Sequence, residues 1–206
     1  MLRLYWADVS RVSPDAEAYE LSAYRREKLR MLRPPEARKL SIGAELLLHQ
    51  ALGDCAPEIA WPPQFTVGEC GKPEWNMEGL FFNLSHSGSV AACVLSDQPV
   101  GLDVQEPCIC RDALARRFFS REEQFFLSAS ADKDRDFCRI WTRKEAYVKA
   151  LGTGITIPLE SFSAVGEQTP DGAAFWDAVL CTYQFAVCLP NARSAQPDAI
   201  IEKQLP

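Results

Sequence analysis

No stretch of the 206-residue chain stays apolar for the roughly 18–20 residues that a bilayer-spanning helix needs, so no membrane span is expected. A basic surplus is missing too. Twenty-two lysines and arginines stand against 28 aspartates and glutamates, a net charge of −6, where a nucleic-acid binder carries an excess of cations. Histidine is scarce: His49 and His86 are the two. Eight cysteines are present, yet none forms a Cys-x-x-Cys pair; Cys108 and Cys110 come nearest, and zinc-site spacings are absent. Cys93, Cys181 and Cys188 lie in apolar runs and read as reduced core thiols. The opening MLRLYWADVS has an early aspartate and no long apolar segment, unlike a secretory signal. No low-complexity tract or short-period repeat is visible. The expectation is a soluble cytoplasmic protein, its 47% hydrophobic content sufficient for one large domain or two small ones.

What is there centres on residues 136–154, DFCRIWTRKEAYVKALGTG, which read as a helix. At 100° per residue, Phe137, Ile140, Trp141, Val148 and Leu151 share one side. Lys144 falls inside that apolar stripe, where an unpaired ammonium costs several kcal/mol, so it requires an acidic partner or a bound anion. Glu145 and Lys149, four apart, share the stripe's edge beside Trp141.

The rest of the chain divides by its punctuation. Residues 2–9 alternate as a strand. Ser13-Pro14-Asp15 predicts the start of a helix running through Tyr24, Lys28 and Arg33 and broken at Pro34-Pro35. A second helix is expected over 36–52, ending at Gly53, with Arg38 and Lys39 near its start. The cations between Tyr24 and Lys39 are either a solvated face or a phosphate seat. Lys72 projects from a Gly71-Lys72-Pro73 turn. An apolar strand over 80–84 leads into a Ser85-His86-Ser87-Gly88-Ser89 loop, which is a polar turn or a cradle for phosphate oxygens. A buried strand over 90–95 follows.

In Val100-Gly101-Leu102-Asp103-Val104-Gln105 the period is two, so Gly101, Asp103 and Gln105 share a face. Asp103 beside a clearing glycine suits a hard cation, or else a strand's solvent face. Glu106 has the wrong parity. Residues 107–116 are a link. Ser120-Arg121-Glu122-Glu123 is a capping box. After the central helix, stopped by Gly152 and Gly154, residues 155–165 read as extended chain, 174–189 as one or two strands, and 190–206 as a peripheral tail. Both halves read as strand, helix and then strands, which hints at duplication.

Taken together, three segments resemble the Sfp-type 4'-phosphopantetheinyl transferases (the holo-acyl-carrier-protein synthase family): Phe82-Asn83-Leu84-Ser85-His86-Ser87; Gly101-Leu102-Asp103-Val104-Gln105; and Phe118-Phe119-Ser120 through Trp141-Thr142-Arg143-Lys144-Glu145-Ala146 to Lys149. The resemblance runs from about Tyr24 to Leu189. It implies an α/β (α+β) fold of two similar subdomains related by pseudo-twofold symmetry, expected over residues 1–99 and 100–206, with coenzyme A in the cleft between them. The implied reaction moves 4'-phosphopantetheine from coenzyme A to a serine of an apo acyl, peptidyl or aryl carrier protein, with Mg2+ as cofactor. Neither a nucleic acid nor a membrane is an expected partner, and a monomer is expected because the duplicated halves supply each other's interface.

By the same resemblance Asp103 and Glu145 are the metal ligands, with Glu145 also a candidate to activate the serine hydroxyl, directly or through metal-bound water, and Lys149 holds the diphosphate and stabilises or protonates the leaving bisphosphate. Ser85 and His86 contact the coenzyme A phosphates. Lys72 lies near the adenine nucleotide, and Lys28, Arg38 and Lys39 fall where cations meet the 3'-phosphate. Trp141 packs, and Lys144 pairs with an acid or a phosphate. The family strand reads Gly-x-Asp-x-Glu; here the last position is Gln105, which ligates through its amide oxygen, yields to water, or leaves room for Glu106. The rival readings are a coenzyme A-binding module without turnover and an interaction protein docking through Trp141 and the basic helices. Phe118-Phe119 is a candidate docking surface for the carrier protein.

Overall fold

Large apolar side chains alternate through LRLYWAD, and the strand they form, β1 (Leu2–Asp8), is covered on both faces. In the computed structural model, which describes residues 1–68, 73–75, 77–152, 154–166 and 170–206, β1 is an inner strand of a four-stranded sheet. A hairpin of β4 (Phe81–Ser87) and β5 (Val90–Ser96) pairs antiparallel with it through β5. Before the hairpin come α1 (Ala23–Met31), α2 (Pro35–Cys55) and a two-residue ribbon of β2 (Thr66–Val67) and β3 (Pro73–Glu74).

The second half repeats this order. Strand β6 (Gly101–Gln105) is followed by three helices, α3 (Asp112–Phe118), α4 (Arg121–Ser128) and α5 (Lys133–Leu151), and then by the hairpin β7 (Ala174–Leu180) and β8 (Tyr183–Leu189). In each sheet the later hairpin strand lies between the earlier hairpin strand and the half's first strand: β4-β5-β1 and β7-β8-β6. The duplication hinted at by element order is therefore present in the topology. The last strand, β9 (Ala199–Glu202), belongs by position to the second half, yet pairs parallel to β1 at the edge of the first sheet. The tail expected to be peripheral is thus a structural strand.

Period-two patterning builds the layers. On one face of β1, Tyr5 and Ala7 pack with Ile42, Leu47 and Leu48 of α2. On the other, Leu4 and Trp6 meet Leu102, Val104, Phe185 and Val187 of the second sheet. The opposite face of β6 and β8 lies under α5, with Ala186 and Cys188 against Ala146 and Ala150. The order is helix, sheet, sheet, helix, and the two sheets meet face to face over a buried apolar core.

Several local expectations shift. Ser13 does not open α1; the chain makes a short 3-10 turn at Ala16–Ala18, and Ser22 caps α1 by accepting from the Arg25 N–H. α2 starts at Pro35, whose missing N–H costs nothing in a first turn, and runs through Gly53 to Cys55. Ser85, His86 and Ser87 are not a loop but the end of β4. Asp112–Phe118, read as a link, is helical. Residues 155–165, read as extended, hold 3-10 turns at Gly154–Thr156 and Leu159–Ser161. The capping box is formed in full by Ser120 and Glu123, and Gly152 ends α5 in the left-handed region at φ 69°.

Gly101 clears space, but for the helix rather than for a ligand. A Cβ there would run into the Ala146 carbonyl oxygen and the Ala150 amide nitrogen of α5, with Ala150 Cα at 2.9 Å. These are backbone atoms and cannot rotate aside. Gly101→Ala should therefore push α5 off β6 and destabilise the fold by about 1–3 kcal/mol, read as a lowered denaturation midpoint. A variant as stable as the parent would show that the contact is loose.

Candidate active site

The site starts from a seam between the two sheets. The free edge of β6 has backbone N–H groups that need partners. Alternate residues of β4 provide them: Leu102 N–H donates to Asn83 Oδ1 (3.0 Å), Val104 N–H to Ser85 Oγ (3.1 Å) and Glu106 N–H to Ser87 Oγ (3.0 Å). The polar alternation Asn83, Ser85, Ser87 is thus a strand-to-strand clasp. Its period of two is legible in the sequence, but it marks a strand only because Ser85 and Ser87 lie in β4 rather than in a loop.

Ser85 then turns to the catalytic candidates. Its hydroxyl donates to Asp103 Oδ1 (2.9 Å) and accepts from Lys149 Nζ (3.0 Å), while Lys149 Nζ pairs with the same Asp103 oxygen at 2.6 Å. With Val104 N–H as well, the Ser85 hydroxyl is fully used within the protein. It faces Asp103 and is not among the residues that line the cationic cavity described below. Burial pushes the Glu145 carboxyl above its ordinary range, the charge of Asp103 pushes it further, and Lys149 pulls back. Asp103, from a strand, and Glu145 and Lys149, from one helix edge, therefore share one electrostatic site. Among the described residues no group of three or more His, Cys, Asp or Glu is arranged to hold a metal, so the carboxylate pair has no third acidic companion. Gln105, at the end of β6, is partly buried. Glu106 is exposed, and its carboxyl lies against the 87–90 turn, 3.1 Å from where a Gly88 Cβ would stand.

Cations gather beside this site. A cavity of about 90 Å³ is lined by Tyr24, Arg25, Lys28, Asn83 and His86, among others. Arg25 is buried by its pair with Glu45 (Nε–Oε2, 2.9 Å) and its bond to Ser41 (2.8 Å), which hold α1 on α2. Sequence reading missed it, because nothing in the pattern separates Arg25 from its neighbours on the same helix. Desolvation and then Arg25 lower the Lys28 pKa. His86 is pushed down to about 4, first by desolvation and then by Lys28, Lys149 and Arg25. The imidazole is therefore neutral among cations, and an anion arriving from the solvent to which the residue is open would favour its protonation. An apolar cavity of about 240 Å³ adjoins, sharing Pro73 and Phe82 and reaching Trp75, Leu151 and Gly152. The cationic cavity is thus built by the first half alone, and the apolar one beside it lies between that half and the end of α5.

Three other sequence-predicted cations stand elsewhere. Lys144 is fully buried: its Nζ pairs with Glu123 Oε2 (2.8 Å) and donates to the Leu159 and Phe162 carbonyls (2.6 and 2.7 Å). Of the two partners expected for it, an acid or a phosphate of coenzyme A, the structure supplies the acid: Glu123 of α4 meets its demand, and a fully buried ammonium has no path to a phosphate. The Arg38 guanidinium donates to the carbonyls of Pro14 (2.8 Å) and Leu29 (2.7 Å), closing the loops around α1, and Lys39 pairs with Glu36 (3.2 Å). Neither lines the cationic cavity. Lys72 lies outside the described residues. Phe119 is core, and Phe118 packs edge-on against Trp141, which stacks on Phe137.

Residues 99–189 match the family described as the 4'-phosphopantetheinyl transferase superfamily. A Bacillus subtilis protein named 4'-phosphopantetheinyl transferase is 32% identical over 193 residues, covering 86% of this chain and 84% of that protein. The 4'-phosphopantetheinyl transferase AcpT of Salmonella typhimurium is 35% identical over 144 residues, 67% of this chain and 73% of its own. The 4'-phosphopantetheinyl transferase Sfp of Bacillus subtilis is 38% identical over 104 residues, 48% of this chain and 46% of its own.

Proposed function

The chain belongs to the 4'-phosphopantetheinyl transferase superfamily, and on that footing we propose that it transfers 4'-phosphopantetheine from coenzyme A to a serine of an apo carrier protein, releasing adenosine 3',5'-bisphosphate. The observation that carries this reading is the meeting of Asp103, Glu145 and Lys149 in the cleft, beside a cationic cavity and an apolar one. Such a cleft suits a molecule with phosphates at one end and an uncharged arm at the other.

Each residue then has a task. Lys28 and His86 receive the terminal phosphate, which the protonated imidazole would pair with. Lys149 moves from Asp103 to the diphosphate, where its ammonium binds oxygen and protonates the departing bisphosphate. Glu145, with its carboxyl held above the ordinary range, is suited to take the proton from the serine hydroxyl. The serine oxygen bonds to the pantetheine-side phosphorus, and that phosphorus releases the oxygen it shares with the adenosine phosphate. Two carboxylates that repel one another in a partly desolvated cleft fit a hard divalent cation. Asp103 and Glu145 would hold Mg2+, with Gln105 offering an amide oxygen from the same face of β6, and the ion would supply charge neutralisation at the diphosphate. We take the enzyme to be a cytoplasmic monomer. The halves already cover each other's sheets through Trp6, Leu102 and Phe185, and no described helix is long and apolar enough to cross a membrane.

Incubation with coenzyme A, Mg2+ and an apo carrier protein should add one phosphopantetheine per carrier by intact mass. Binding of coenzyme A with no mass gained on any carrier tried would favour the module without turnover, a reading that the missing third acid supports. Gln105→Glu should lower the Mg2+ concentration for half-maximal rate on the order of tenfold, because affinity follows ligand charge; an unchanged or higher requirement counts against Gln105 at the metal.

A further inference from the structure

The thiols of Cys108 and Cys138 have no task in the transfer. Cys138 lies on α5, two turns before Glu145, and is 4% exposed. Cys108 lies in the segment leaving β6 and is partly exposed. That segment is tied along α5 at two points: the Cys138 thiol donates to the Glu106 carbonyl (3.8 Å), and the Cys110 N–H donates to Asp134 Oδ1 (2.7 Å). Asp134 and Cys138 are four apart and share a helix face. Cys108, midway between the tied residues, is held over that face. Both thiols line one cavity of about 320 Å³, with Arg135, Val179 and Gln184 among its walls. Burial and then Cys108 push the Cys138 thiol up to about 12, as close thiols should. Cys110 is the rival, but its thiol turns to Asp112 (3.8 Å), away from the cavity.

We infer that Cys108 and Cys138 form a dithiol modification site, which takes up trivalent arsenicals and closes to a disulfide under peroxide, stapling the exit of β6 to α5. With phenylarsine oxide, both sulfurs bond to arsenic and the two thiol protons leave with its oxygen as water. With hydrogen peroxide, the more accessible Cys108 is oxidised to the sulfenic acid as the peroxide is reduced to water. The Cys138 sulfur then displaces that hydroxyl, which leaves as a second water carrying the Cys138 proton. Under ordinary reducing conditions the pair stays reduced. The link would join the strand that holds Asp103 to the helix that holds Glu145.

The test uses the full chain, reduced and then desalted. Phenylarsine oxide should leave one adduct by intact mass that resists a monothiol and is removed by a dithiol. Peroxide should give a species lighter by two hydrogens whose digest joins the peptides of Cys108 and Cys138. That species should melt roughly 5 °C higher than the reduced form, by the usual effect of closing a loop of this length. Cys108→Ser should lose both modifications and Cys110→Ser should keep them. Cys108→Ala, at a partly exposed position, provides a second folded control. An adduct that persists in Cys108→Ser, a link mapped to Cys110, the absence of any adduct, or a linked form that melts lower would each overturn the assignment.

Discussion

Glu145→Gln should cut the rate of transfer by about 10²–10⁴-fold while raising the melting temperature at neutral pH. The two effects have one cause. Burial, and then Asp103, hold the Glu145 carboxyl above its ordinary range in the folded protein. An acid whose folded pKa exceeds its unfolded value binds its proton more tightly in the native state. Between those two values, stability therefore falls as pH rises, and above the folded value the penalty is complete. Gln removes that penalty while keeping the shape. The stabilisation should shrink as pH is lowered and vanish near the unfolded value of about 4.3. Melting curves across that range, beside the carrier-protein mass assay, decide the matter. Loss of stability at neutral pH would make Glu145 a structural residue. Retained transfer would remove it from the chemistry.

Glu123→Ala should cost about 3–5 kcal/mol, hence a melting temperature lower by roughly 10 °C in a chain of this size. Glu123 is fully buried and accepts from three donors: the Lys144 ammonium (2.8 Å), the Ser120 N–H (2.7 Å) and the Ala164 N–H (2.7 Å). Removing the carboxylate leaves a buried ammonium and two unpaired amides, because the Leu159 and Phe162 carbonyls bond Lys144 without cancelling its charge. The single loss should thus be severe. The double change Glu123→Leu with Lys144→Met should recover much of it, since replacing a buried ion pair by apolar groups is often near neutral. At low temperature the folded fraction of Glu123→Ala should still bind coenzyme A within a few-fold of the parent. A variant that melts normally but no longer binds coenzyme A would return Lys144 to the substrate.

Much of this was legible in the residues. The stripe on α5 named Lys144 as a residue in need of a partner, the capping box placed the start of α4, and strand parity put Gly101, Asp103 and Gln105 on one face. Each of these is a local rule, in which one or two turns of backbone settle which side chains share a side. Lys28 and His86 came from likeness to a family; periodicity could say only that the region was cationic.

The sequence by itself determined the two-fold order of strand, helix and hairpin and the faces of β6 and α5. Which cation meets which anion was decided by the tertiary structure. Glu123 and Lys144, or Arg25 and Glu45, are far apart in the chain, and pairing across such distances depends on how layers dock. The same holds for Asn83, Ser85 and Ser87, whose role as a clasp exists only because the open edge of β6 arrives beside β4. Gly101 is the plainest case: strand parity placed it next to Asp103, but only the approach of α5 shows what its missing side chain makes room for.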